Sequence, residues 1–288
     1  MKPFSCRACK ADLHCHSTVS DGTLSPLALA QRAYANGVEL WALTDHDEVA
    51  GIAQAASEAT RLGLPFLAGV EISVTFLDTC VHIVGLGIDE TDIGLLQGLQ
   101  QTRGGRVRRA QTMADQLKQV GITGAFEGAL KYAGNPELIA RPHFARYLVE
   151  RGICANVGEA FANYLKKGKP GYVPQRWAAL PEAVSWIKQA GGMAIIAHPA
   201  RYDFTPLEEA CLFETFRQLG GQGVEVVTAS HSAAESEHYH GLALEYGLYA
   251  SCGSDFHSPD ESRIDLGNLP PMPTDLRPVW EALADRIR

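Results

Sequence analysis

The chain has 288 residues, of which 46% are hydrophobic and 20% charged, with a formal net charge of −8. That length suits one large domain, or a barrel carrying an inserted subdomain, and the hydrophobic share is enough to bury a sizeable core, which excludes general disorder. No apolar run is long enough to span a bilayer, Met1–Lys10 is polar with no signal-type apolar stretch, and seven scattered cysteines read as reduced thiols, so a cytoplasmic location is the expectation.

Short β-like and helix-like runs alternate along the first part of the chain. Ala11–Leu13 leads into His14, and Pro26–Gly37 reads as a helix with Ser25 as its N-cap and Pro26 in its first turn. Leu40–Thr44 is an apolar strand ending at Asp45-His46-Asp47, and Val49–Leu62 is helical and stops at Gly63. Pro65–Val70 is a buried strand ending at Glu71, and Val81–Leu86 is the next strand. From about Asp92 to Lys169 helical periodicity dominates, with breaks near Gly121, Gly134-Asn135-Pro136 and Gly168.

Alternation then resumes. Pro181–Ala190 is a helix, Met193–Ala197 a strand ending at His198-Pro199, and Pro206–Leu219 a helix. Val224–Val227 is a strand, Ser232–Tyr246 a helix, and Leu248–Gly253 a strand ending at Ser254-Asp255. Repeated βα units imply a mostly parallel sheet. Residues 10–91 and 170–288 are expected to form it, with residues 92–169 as a helical insertion covering the active site.

Charge is unevenly spread. Residues 100–170 hold twelve Lys/Arg, among them Arg103, Arg106, Arg108 and Arg109, against five acids, so the middle segment is basic and the remainder strongly acidic. Such asymmetry points the middle segment at an anion, although Arg106–Arg109 also read as a solvated helical face. Lys167, Lys169 and Tyr172 form a basic, Gly/Pro-rich loop that reads as a linker or a cover for the site. Cys6 and Cys9 form a C-x-x-C with no second pair, which favours plain thiols over a zinc site.

The ionisable residues fall in a pattern. His14 and His16 end the first strand, Asp45, His46 and Asp47 the second, Glu71 the third, His198 a later one, and Asp255 and His257 the last, while His82 sits in a further β-like run. The carboxyl ends of parallel barrel strands form one face, so these groups converge although they are distant in sequence. Residues two apart in a strand point to one side, which lets His14 and His16 share a metal. Burying six histidines and several carboxylates without partners would cost several kcal/mol each. Metal coordination resolves this, whereas any single histidine taken alone could be a hydrogen-bonded core residue. His238 and His240 lie on a polar helix and read as solvated, and His231 is ambiguous.

Ala11-Asp-Leu-His-Cys-His-Ser, Ser20-Asp-Gly-Thr, Leu43-Thr-Asp-His-Asp, Gly69-Val-Glu-Ile, Val81-His-Ile-Val-Gly, Ala197-His-Pro and Gly253-Ser-Asp-Phe-His together resemble the polymerase and histidinol phosphatase (PHP) family of the amidohydrolase superfamily. The resemblance implies a distorted (β/α)7 barrel and three divalent ions, with Mn2+ favoured over Zn2+ or Fe2+. It puts His14, His16, Glu71 and Asp255 on the first ion, Glu71, His82 and His198 on the second, and Asp21, His46 and His257 on the third. Asp45 would orient a ligating histidine. Glu71, Asp255, His257 and His198 are the candidate catalytic residues, with His257, His198 and His143 considered for protonating the leaving group.

Arginine matches phosphate with a bidentate fork, so Arg141 and Arg201, with His143, are the candidate substrate contacts. The branch with a helical insertion implies a 3′,5′-nucleoside bisphosphate phosphatase acting on a nucleotide such as pAp, with no membrane and no obligate protein partner. The alternatives are a 5′–3′ exoribonuclease on short 5′-phosphorylated oligonucleotides, a histidinol-phosphate phosphatase, a non-catalytic metal module and a C–N bond hydrolase.

Overall fold

The structure, a computed structural model, describes residues 9–288. Cys6 and most of the polar N-terminal stretch lie outside the described residues. Cys15, Cys80, Cys154, Cys211 and Cys252 carry free thiols. No described helix is long and apolar enough to cross a membrane.

The strands are β1 (Ala11–Asp12), β2 (Leu40–Leu43), β3 (Phe66–Phe76), β4 (Thr79–Leu86), β5 (Ala178–Ala179), β6 (Met193–Ile196), β7 (Gly223–Thr228) and β8 (Tyr249–Gly253). Their order is β1-β2-β3-β4-β6-β7-β8, with β5 paired to β3. The sheet curls until its ends meet. Leu13 N–H donates to Cys252 O at 3.0 Å, Asp255 N–H donates to His14 O at 2.8 Å, and Cys15 bridges Phe256. A seven-stranded, nearly closed barrel results, as the family resemblance implies.

Strands β2 and β6 are buried at every position, which explains their unbroken apolar runs: a parallel strand covered on both faces has no polar side. The helices packed around them start and stop on local chemistry. Ser25 caps α1 (Pro26–Ala35) by accepting from Ala28 N–H, and α2 (Ile52–Leu62) ends at Gly63 with φ 70°.

Strand β3 does not end at Glu71. It runs five residues further, to Phe76, and turns through Leu77 and Asp78 into β4, which is antiparallel to both β3 and β6. Both turn residues take positive φ, 46° and 62°, as a two-residue hairpin turn requires. The antiparallel course matters for the site. His82, near the start of β4, pairs with Ser73 and so lies at the same barrel end as the carboxyl ends of the parallel strands.

Between β4 and β5 the chain is helical: α3 (Ile93–Arg103), α4 (Arg106–Gln119), α5 (Ala125–Leu130), α6 (Arg141–Glu150) and α7 (Val157–Ala160). Helix α3 belongs to the barrel core, where Leu95 and Leu99 are buried, and Gly98 fits against the Trp186 ring with no room for a Cβ. From α4 onward a second core forms, built on Met113, Leu117, Phe144, Leu148 and Leu165. Helices α8 (Leu180–Gln189), α9 (Pro206–Gln218), α10 (Ala233–Tyr246) and α11 (Val279–Ala282) complete the outer layer.

Candidate metal centre

All nine predicted donors converge at one end of the barrel. His14 Nε2 and His16 Nε2 stand 3.2 Å apart, placed together by their two-residue spacing past β1. Strand β8 approaches so closely here that a Cβ on Gly253 would lie 2.1 Å from that of His14. Gly253 therefore lets Asp255 reach the pair: its Oδ1 lies 3.0 Å from His16 Nε2 and 3.5 Å from His14 Nε2. Glu71, fully buried, sits at the centre. Its Oε1 is 2.9 Å from His82 Nδ1, 2.9 Å from His198 Nε2 and 3.3 Å from His14 Nε2. Its Oε2 is 2.8 Å from His46 Nδ1 and 3.4 Å from His16 Nε2. Asp21 adds Oδ2 at 3.8 Å from His46 Nε2 and Oδ1 at 3.3 Å from His257 Nε2.

These contacts fit divalent ions better than a hydrogen-bonded network. His46 Nδ1 and Glu71 Oε2 are close but misaligned for a hydrogen bond, and both are buried without a partner, as is Asp21 Oδ1. Unmade bonds at buried polar atoms cost about 1–3 kcal/mol each. Metal–nitrogen and metal–oxygen bonds of about 2.0–2.2 Å put neighbouring donors on one ion about 3 Å apart, the spacing seen here. Four overlapping groups bring their donor atoms within 4.8 Å of one another: His16, Asp21, His46 and His257; His14, Glu71 and His198; His14, His16 and Asp255; and His46, Glu71 and His82. Mixed imidazole and carboxylate donors suit Mn, Fe or Zn.

Burial and neighbouring charge separate the titrations. Burial, reinforced by His257 and His46, lowers His16 to about 3, and burial with Arg201 alongside lowers His198 to about 4. Burial also acts against the charge on His257, but Asp21 and Asp255 overcome it and hold that ring at about 9. Burial would raise Glu71, yet His82, His14 and His46 keep its carboxyl well below the usual range. Backbone strain is concentrated here as well: Asp47, His198 and Asp255 take φ of 51°, 27° and 51°.

The cavity above these donors, about 350 Å³, is walled by Asp21, His46, His82, His198, Asp255 and His257 below and by Arg106, Arg109, Arg141, Phe161, Trp177 and Arg201 above. Arg201 Nη1 contacts Asp255 Oδ2 at 2.6 Å. Arg141 lies over Phe161, and Arg106 and Arg109 lie over Trp177 at 4.5 Å and 5.5 Å from the ring centre. Burial, with Arg141 and Arg106 nearby, lowers Arg109 to about 10.

Several sequence expectations are corrected. Arg106 and Arg109 are not on a solvated face; Arg106 is 5% exposed and pairs with the buried Asp47 carboxylate. Asp45 orients no histidine. It accepts from Ser17 N–H, Ser17 Oγ and Ser20 Oγ at 2.7, 2.6 and 2.6 Å, holding the loop that presents Asp21. His143 is fully buried, absent from the cavity wall, and uses Nδ1 to accept Ala140 N–H at the start of α6. Lys167, Lys169 and Tyr172 do not line the cavity. His231 Nδ1 bonds Val226 O, and His238 and His240 pair with Glu209 and Asp275.

Three functional contributors went unread in the sequence. Tyr202 OH accepts His82 N–H at 2.9 Å and donates to Ala197 O at 2.6 Å, joining the strands that carry His82 and His198. Trp177 carries the guanidinium wall. Glu225 is buried against His14, and an acid inside the apolar β7 run was its available signal.

Fold and site together define an α/β barrel that gathers histidines and carboxylates able to hold divalent metal beneath an arginine-rich wall. A family model described as the PHP domain matches residues 12–147. A 3′,5′-nucleoside bisphosphate phosphatase from Chromobacterium violaceum is 48% identical over 96% of this chain and 97% of its own. A 5′-3′ exoribonuclease from Haemophilus influenzae is 42% identical over 94% of this chain and 98% of its own. Among solved structures, an amidohydrolase from Chromobacterium violaceum with bound sulfate and no metal superposes with a TM-score of 0.94 at 47% identity, covering 97% of both chains. A Bifidobacterium adolescentis protein assigned as a metal-dependent phosphoesterase superposes with a TM-score of 0.79 at 29% identity, covering 89% of this chain and 91% of its own. The chain belongs to the PHP family.

Proposed function

We propose that this protein is a cytoplasmic, metal-dependent phosphatase that removes the 3′-phosphate of a nucleoside 3′,5′-bisphosphate such as pAp, releasing the 5′-nucleotide and phosphate. The observation that carries the reading is one cavity with two anion-binding ends: a floor where six of the nine metal donors surface, and a wall of Arg106, Arg109, Arg141 and Arg201. One end suits the scissile phosphate and the other a second phosphate. Identity to the bisphosphate phosphatase over nearly the whole length supports the same substrate.

Three divalent ions, Mn2+ by preference, would be held by His14, His16, Glu71 and Asp255, by Glu71, His82 and His198, and by Asp21, His46 and His257. When bound, such ions neutralise phosphoryl oxygens and make water nucleophilic near neutral pH. The chain's own residues do the rest. Glu71 sits between both halves of the donor set and fixes their spacing. Asp255, held by Arg201, orients the first group. Arg109 and Arg141 grip the non-reacting phosphate, and Phe161 and Trp177 offer ring faces to the base. His198 and His257 line the cavity as ligands, their Nε2 atoms turned to Glu71 and Asp21, so the proton for the departing sugar oxygen is not assigned to either ring. The helical segment from α4 onward, rather than from Asp92, acts as the insertion that covers the site, because α3 packs into the barrel core.

The exoribonuclease reading keeps one observation in its favour, the relatives of that name at 42% and 40% identity. Phosphate and nucleotide release by purified protein with Mn2+, from pAp and from short 5′-phosphorylated oligonucleotides, separates the two. Faster turnover of pAp is expected, and a clear preference for the oligonucleotides would contradict the proposal.

A further inference from the structure

Glu225 lies on β7 in the run Gly223–Thr228, where every residue is buried and its neighbours are glycine, valine and threonine. It is 1% exposed and does not line the cavity. The strand bulges just beyond it: Glu225 pairs with Ser251 and Val227 with Cys252, leaving Val226 as the extra residue. Bulges of this kind re-aim a side chain where a strand meets a functional site.

The two oxygens of Glu225 serve different parts of the centre. Oε1 lies 2.7 Å from His14 Nδ1, and Oε2 accepts the His198 backbone N–H at 2.6 Å. The first bond holds the Nδ1–H of His14 and turns its Nε2 lone pair toward Glu71 Oε1 and Asp255 Oδ1, at 3.3 and 3.5 Å. The second anchors His198 in a backbone conformation, φ 27°, that L residues resist. The two imidazoles thereby stack with their centres 5.5 Å apart.

We infer that Glu225 is a positioning residue that sets the ring tautomer of His14 and the backbone of His198 at once, so that both imidazoles present nitrogen lone pairs around Glu71. The inference rests on the metal-phosphatase reading above. Both partners of Glu225 are donors, so the position needs two acceptors, which a carboxylate has. A glutamine amide has one, and whichever way it turns its NH2 group faces a donor or forces the proton of His14 onto Nε2.

The test is Mn2+ binding by calorimetry to chelator-stripped full-length protein, with circular dichroism to confirm folding. In Glu225→Gln the ions held through His14 and His198 are expected to bind about 10–100-fold more weakly, the usual effect of removing a carboxylate that orients a ligand. The ion held by Asp21, His46 and His257 is expected to keep its affinity. A residue that only supported the fold would weaken all the ions together. Glu225→Asp, which keeps the charge but falls a methylene short, is expected to show the same selective loss to a smaller degree, and it decides the matter should the glutamine variant not fold. Uniform weakening, or unchanged binding in a folded variant, overturns the role of Glu225 alone. Wild-type protein that binds no Mn2+ overturns the metal reading and this role with it.

Discussion

Glu71 Oε1 and His198 Nε2 stand 2.9 Å apart although 127 residues separate them in the chain. Glu71 reaches this point because β3 runs past it into the β4 hairpin, which carries its carboxylate to the middle of the barrel mouth rather than to a loop. Replacing Glu71 with Gln keeps the volume and removes the charge that every surrounding histidine faces. Mn2+ stoichiometry is expected to fall below wild type and turnover by more than about 100-fold, measured by elemental analysis and phosphate release.

Arg106 ties the insertion to the barrel through Asp47, which is fully buried and also accepts from Ser73 N–H and Oγ at 2.7 and 3.0 Å. Arg106→Met strands that carboxylate. Breaking a buried pair in this way costs about 3–5 kcal/mol, which urea unfolding of the chelated protein will read. Adding Asp47→Asn is expected to restore part of the loss, because it removes the unpaired charge.

Arg109 and Arg141 line the cavity over the rings of Trp177 and Phe161. Replacing either with Ala is expected to raise KM for pAp by about 10-fold with kcat nearly unchanged, since a contact to the non-reacting phosphate is made equally in ground and transition states. KM for a nucleoside 3′-monophosphate, which lacks that second phosphate, is expected to stay at the wild-type value.

His143 gives a pH dependence with a definite sign. Burial, with Arg146 and Arg106 adding to it and Asp21 partly opposing, lowers this ring to about 4 from the ordinary 6.5. Between those values the unfolded chain takes up a proton that the folded chain refuses. Stability is therefore complete above pH 6.5 and falls as the pH drops toward 4, by up to about 3 kcal/mol. Unfolding of chelated protein at pH 7 and pH 5 is expected to show a smaller drop in His143→Gln, whose side-chain oxygen still accepts Ala140 N–H.

Much of the fold was legible because strands such as β2 and β6 are unbroken apolar runs that stop at ionisable residues, so strand ends and donors announce one another. The β3–β4 hairpin was not, because its turn is Leu77-Asp78, without the Gly or Asn that marks a tight turn, and β3 was cut short at Glu71. The guanidinium wall was misread for a different reason. Arg106 and Arg109 lie three residues apart on one helix face, and only the packing of that face against Asp47 and Trp177 distinguishes a cavity wall from a solvated stripe. Asp45 and Glu225 exchanged roles: Asp45 was expected to orient a ligating histidine, whereas β7, through a bulge invisible in sequence, brings Glu225 to His14 instead.

Anomalous scattering from crystals grown with Mn2+ tests the metal centre most directly. The account predicts strong peaks enclosed by His14, His16, Asp21, His46, Glu71, His82, His198, Asp255 and His257, with Glu71 within bonding distance of two of them. A map with no peak among these side chains, or with its peaks elsewhere on the molecule, would contradict it.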